Sequence, residues 1–230
     1  MKTNLLLAGI ATSFIGSIAV ADVVYYQGFE NDAWLGGKYY DTGDAGTDHW
    51  LENNEGEAAV NGDGFNAWYT NTRDGSGLVD GDFVGVTNYS SVVGAFIDGN
   101  NGYQMSDTDG MMSLVMDDFG TVNGFDFYMF VQSTGWETDD RIMVEYGDQV
   151  LYDTAGSDID DLGIEGGWLH FVMDETAGWT GTGGLRISLD SNSASEAIFI
   201  DAISIYGDAI PAPGALALLG VAGLARRRRK

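Results

Sequence analysis

Chemistry in this 230-residue chain has to be done with 35 carboxylates, ten Lys or Arg side chains, two histidines and no cysteine. The missing cysteine removes thiol nucleophiles, a disulfide framework and thiolate metal sites. His49 and His170 are the only imidazole bases. His170 lies between Leu169 and Phe171 in an alternating stretch, as a packed or surface strand residue does, and His49 lies beside Asp48 and Trp50 in a loop. No nucleophile elbow, phosphate-binding glycine loop or H-E-x-x-H zinc motif accompanies either. Glycoside hydrolysis asks only for two carboxylates across a cleft. Nine Glu and 26 Asp leave that chemistry open without pointing to it.

Carboxylates suit calcium, which takes six to eight oxygen ligands. The loops Asp41-Thr42-Gly43-Asp44, Asp107-Thr108-Asp109-Gly110 and Asp158-Ile159-Asp160-Asp161 are rich in them. None fits an EF-hand: with Asp109-Gly110 at positions 5 and 6, Met105 and Met116 fall where carboxylates are required, so these loops read first as solvated turns. Asp201 differs. It alternates with Phe199 and Ile203, so a strand would set it among apolar neighbours, where a bare carboxylate is costly unless bonded or coordinated. Between residues 22 and 210 all 35 acids face only Lys38, Arg73, Arg141 and Arg186, a formal charge of −31. Such a body repels phosphate backbones, which excludes nucleic acid as a partner.

Aromatic rings supply recognition chemistry. Trp34, Trp50, Trp68, Trp136 and Trp179 sit in or beside polar, glycine-rich segments, and Trp168 in an apolar one. An indole face offers apolar surface to the C–H side of a sugar, with Asp and Asn nearby for its hydroxyls. Plugging the open ends of a sheet sandwich is the other use of such rings. As a platform the expected pair is Trp136 with Trp179, because each follows a glycine in a loop between strong strands.

The elements that must position these groups are strands. Proline is absent between the chain ends and glycine is abundant, at 34 residues, so turns fall to Gly, Asn and Asp. Leu185–Asp190 and Arg141–Tyr146 alternate cleanly, giving one buried and one wet face. Phe125–Val131 and Trp168–Met173 are apolar on nearly both faces, and Ala197–Tyr206 is a long strand. Val23–Phe29, Asp82–Thr87, Val92–Ile97 and Met111–Met116 complete the set. No helical-length segment carries an apolar stripe, and the connections are too short for crossover helices. The expected fold is all-β: an antiparallel two-sheet β-sandwich of lectin-like jelly-roll type, with a closed barrel or short solenoid as the alternatives.

The two ends read as addresses. Lys2, an apolar run from Leu5 to Ile18 and Ala19-Val20-Ala21 before Asp22 describe a secretory signal helix over 1–21, with Ala19 and Ala21 marking the cut. At the other end Pro211-Ala212-Pro213 precedes an apolar run, Gly214–Ala225, and then Arg226, Arg227, Arg228, Arg229 and Lys230. Prolines break structure, the apolar run enters a bilayer, and the basic cluster stays on the cytoplasmic side. This ending resembles the PEP-CTERM sorting signal of bacterial exported proteins. Its middle residue is Ala212 where the family name implies glutamate, and its apolar run is shorter than the ~20 residues of a spanning helix. The resemblance implies processing by an exosortase, transient contact with the membrane through 209–230, and delivery to the cell surface or extracellular matrix.

Gly28-Phe29-Glu30 and the stretch from Ile198 to Gly207 also resemble the first and last strands of carbohydrate-binding-module jelly rolls. That resemblance implies neighbouring chain ends and a structural calcium ion held with the help of Glu30 and Asp201. The expected organisation is a signal peptide at 1–21, a β-sandwich at 22–208 and a sorting segment at 209–230. The expected function is a non-catalytic module for glycan binding or adhesion, taking an extracellular polysaccharide or surface glycan. A glycoside hydrolase or polysaccharide lyase on a similar sandwich, and a purely structural biofilm protein, are the competing classes.

Overall fold

Period-2 patterning in this sequence folds as such: Phe65, Ala67 and Tyr69 are buried while Asn66, Trp68 and Thr70 between them face outward. The structure, a computed structural model, describes residues 22–36, 47–51, 60–70, 83–174 and 178–207. The signal segment with Ala19 and Ala21, the sorting segment with Pro211, Pro213 and Arg226 to Arg229, and the Asp41–Asp44 loop lie outside these residues. Fourteen strands are found among the described residues. They are β1 (Asp22–Gln27), β2 (His49–Trp50), β3 (Phe65–Thr70), β4 (Phe83–Thr87), β5 (Gly102–Ser106), β6 (Met111–Met116) and β7 (Thr121–Val122). The second half holds β8 (Gly124–Val131), β9 (Arg141–Tyr146), β10 (Gln149–Asp153), β11 (Trp168–Met173), β12 (Gly181–Thr182), β13 (Leu185–Asp190) and β14 (Ala197–Gly207).

One sheet runs β11-β8-β14-β5-β4, with β1 also paired to β14. The other runs β10-β9-β13-β6-β3-β2, and β12 with β7 forms a small ribbon. All pairings between these strands are antiparallel. The expected two-sheet antiparallel sandwich is therefore the fold. Its core is the meeting of the two inner faces: Phe125 of β8 stacks on Tyr146 of β9 at 5.4 Å, and Phe29, Phe65 and Tyr103 close the other end.

Two sequence expectations are corrected. Val92–Ile97 is not a strand but part of the long connection from β4 to β5, with Gly94 left-handed at φ 75°. Its apolar residues serve a different contact: Val93 and Phe96 pack with Phe130, Ala197 and Phe199 in a second cluster separate from the main core. This cluster covers part of the outer face of the β8–β14 sheet, which explains why those strands are apolar on both sides. The second correction concerns β14. A bulge interrupts its pairing with β8 between Asp201 and Ser204, and Ala202 sits at φ 51°. An extra residue shifts the side-chain phase, so Ile198, Ile200, Ile203 and Ile205 all belong to the main core while Asp201 keeps to the outer side with Phe199.

Candidate functional site

The bulge presents the Asp201 carboxylate to the β4–β5 connection. Its Oδ2 accepts the amides of Ile97 at 2.7 Å and Asp98 at 2.9 Å, and its Oδ1 accepts that of Ala202 at 2.6 Å. The side chain is wholly buried, and burial pushes its pKa up to about 7 against the lowering pull of those three amides. Glu30, just after β1, reaches the same connection further along: its oxygens accept the amides of Asn100 at 3.0 Å and Asn101 at 2.8 Å. Gly99 is left-handed there (φ 64°), and a side chain on it would collide with the Glu30 carboxylate. The two residues expected as calcium ligands thus both clamp the segment that lays Val93 and Phe96 over the sheet. Because Glu30 is exposed, water can replace part of what it gives. Glu30→Ala is expected to cost about 1–2 kcal/mol in urea unfolding, and a loss beyond about 3 kcal/mol would show that the clamp at Asn100 and Asn101 matters more than its exposure allows.

A second acidic grouping lies elsewhere. Glu137, Asp140 and Glu196 each bring a carboxylate oxygen within 4.8 Å of the others, and Asp140 and Glu196 are buried. The turn after β8 shapes it: Asp140 Oδ2 accepts the Glu137 amide at 2.6 Å. From the loop before β14, the Asn192 amide donates to Glu196 Oε2 at 3.1 Å. Burial first, then the Asp140 charge, holds the Glu196 carboxyl well above the usual carboxylate range. Three like-charged groups so placed could hold a metal ion, and all their donors are hard oxygens. No spacing marks this group in the sequence, because Glu196 is distant along the chain from Glu137 and Asp140.

The tryptophans divide by environment. Trp136 is 4% exposed and donates its indole N–H to the Gln132 carbonyl at 3.0 Å. Trp179 is half-buried, edge-on to Phe125 and Tyr146 at 5.3 and 5.2 Å. These two share no ring contact among the described residues, and each fills the sandwich as a plug. A loop indole whose N–H finds an acceptor is free to bury its rings, which glycine-flanked position alone does not reveal. The exposed indole is Trp50, at 46%.

Trp50 opposes Trp68 across β2 and β3, their rings T-shaped at 4.8 Å, and Trp68 Nε1 is tied to Thr70 Oγ1 at 2.9 Å. Both stand on the outer face of the six-stranded β10–β2 sheet. The next row of that face is Asn66, Val115, Arg186 and Glu145, successive cross-strand partners on β3, β6, β13 and β9. Between them runs a groove of about 450 Å³ whose lining includes Trp50, Asn66, Val115, Asp117, Asp118 and Arg186. Side chains bearing an aromatic ring, an amide, a guanidinium and two carboxylates thus line one concavity, with Asp118 Oδ1 accepting the Gly120 amide at 2.7 Å. The alternation of Phe65–Thr70, which turns Trp68 outward with Asn66 and Thr70, makes a strand that was not among those expected from the sequence. The partner Trp50 and the groove depend on strand order.

No protein-family model and no curated protein matches the chain. Among solved structures it is similar to the K2 and K1 cleaved adhesin domains of Lys-gingipain, the latter from Porphyromonas gingivalis. Identities are 14% and 12% and TM-scores 0.44 and 0.45, over 79% and 80% of this chain and 98% of each of those chains. It is similar also to the CBM22-1 xylan-binding domain from Paenibacillus barcinonensis, at 15% identity and TM-score 0.36 over 84% of this chain and 99% of that one.

Proposed function

We propose that this chain is an exported, surface or matrix module that binds a polysaccharide non-catalytically in the groove beside Trp50. The observation that carries this is a nearly half-exposed indole standing over a concavity lined with both hydrogen-bond donors and acceptors. Sugars need that combination, an apolar face for their C–H surface and polar groups at its rim. Asp117 and Asp118 are consecutive residues of one loop, an arrangement that favours holding hydroxyls over the opposed acid and base of a hydrolase. Export and surface delivery, with exosortase processing of 209–230 and passing membrane contact, rest on the residues of the two chain ends. The test is a glycan array with the purified protein and its Trp50→Ala variant. Binding by the parent and a loss of about 30-fold or more in the variant, with unchanged melting, are expected; equal binding by both would end the assignment to this groove.

The same reading gives Glu137, Asp140 and Glu196 a structural calcium ion, chosen by their all-oxygen chemistry. Glu30 and Asp201 are the competing seat, where an ion would have to share oxygens with five amide bonds. Loss of the calcium response in Glu196→Gln but not in Glu30→Gln separates the two.

A further inference from the structure

In a body carrying 35 acids and four bases, an arginine without a carboxylate partner is unexpected. Arg141 behaves as expected: it grips Asp153 with two 2.8 Å bonds. Arg186 does not. Among the described residues no carboxylate lies within ion-pair distance of it, although Glu145 is its cross-strand neighbour and Asp117 and Asp118 line the same groove. We infer that the groove selects an uncharged polysaccharide, with Arg186 as a donor fork across neighbouring hydroxyls, and turns away uronate-bearing chains.

This rests on the glycan-binding reading above and names its ligand class. A sugar hydroxyl both donates and accepts, so it can use the donor-only guanidinium and the acceptor-only carboxylates together. The Asn66 amide fits the same scheme: its Oδ1 is occupied by the Ala67 amide at 2.8 Å, leaving its N–H₂ as a donor. A uronate carboxylate would meet one cation but two anions in the lining. Salt screens the rest of the −31 body beyond about 8 Å at physiological ionic strength, but not charges inside the groove, so the local balance decides. The planar fork also explains an arginine at this position, since a lysine ammonium offers no fixed pair of parallel donors.

The test measures affinity of the full protein for hydroxyl-only polymers (mixed-linkage glucan, xylan, mannan) and for polygalacturonate and alginate, at low and high sodium chloride. At least one hydroxyl-only polymer should bind with an affinity that changes less than about two-fold with salt. The uronate polymers should bind about ten-fold or more weakly by comparison. Arg186→Gln should lose about ten-fold without a change in melting, and Arg186→Lys should recover only part of it. Preferred binding of a uronate polymer, a steep fall of affinity with salt, or an Arg186→Gln variant that binds like the parent would overturn the inference. If uronate binding is lost in Trp50→Ala, the groove assignment stands and only the charge preference falls. If no polymer binds at all, both fall together.

Discussion

Replacing Asp201 with alanine is expected to lower the unfolding free energy by about 3–5 kcal/mol, or about 6–20 °C in melting temperature for a domain of this size. Three amide donors, of Ile97, Asp98 and Ala202, would lose their acceptor at once. The buried Ala202 amide left unsatisfied costs about 1–3 kcal/mol, and the part-buried amides of Ile97 and Asp98 less each, since water reaches them more readily. Removing the desolvated carboxyl itself returns part of that, which is why the sum is not taken at its upper bound. The consequence spreads, because the amides at 97 and 98 fix the segment that sets Val93 and Phe96 on Phe130 and Phe199. Asp201→Asn keeps one carbonyl for the two segment amides but turns an N–H₂ towards Ala202, and should cost less than half as much. Chemical denaturation with amide exchange at residues 96–101 reads both effects. An alanine variant within about 1 kcal/mol of the parent would show that the segment holds without its clamp.

Melting in chelator should fall by about 5–10 °C between mildly acidic and mildly alkaline pH, and calcium should reverse the fall. Asp201 and Glu196 both hold their proton in the folded state to higher pH than a solvated carboxyl does. In acid both groups are protonated whether the chain is folded or not, and folding is indifferent to them. As pH rises through the solvated carboxylate range the unfolded chain releases these protons while the folded one keeps them, so stability declines. For Asp201 the decline ends at about pH 7. Asp153 acts in the opposite sense, since the Arg141 bond holds its carboxyl below the usual range, so its contribution is lost only on strong acidification. Calcium binds deprotonated carboxylates, so its stabilisation grows with pH and the curves with and without it diverge. Glu196→Gln should remove its own share of the fall in chelator, leaving the part due to Asp201 that ends at about pH 7, and abolish the calcium increment. Parallel curves at every pH, with the parent indifferent to calcium, would remove the ion from Glu137, Asp140 and Glu196.

Strand identity was legible where alternation was unbroken. Arg141–Tyr146 and Leu185–Asp190 fold as the strands their period requires, and Met111–Met116 and Trp168–Met173, apolar runs without clean alternation, are strands as well. It was not legible at Val92–Ile97, where an apolar run has the composition of a strand but packs as a loop over a sheet face. Nor were Gly102–Ser106 and Gln149–Asp153 readable as strands, since turn-forming residues and polar side chains blur their pattern. Asp201 shows the intermediate case. Its need for partners followed from the pattern, and the spacing Ile198, Ile200, Ile203, Ile205 already carries the bulge that a strict period-2 reading passes over.

Local patterning, charge and the terminal motifs depend on residues near one another in the chain. They were enough to require antiparallel sheets and a strongly acidic body, and to make the two ends read as export addresses. The groove beside Trp50, the burial of Trp136 and the grouping of Glu137 and Asp140 with Glu196 depend on which strands become neighbours and on how two twisted faces meet. Those are long-range choices settled by packing of the whole core, and side chains distant in sequence carry no local mark of the partner that packing will give them.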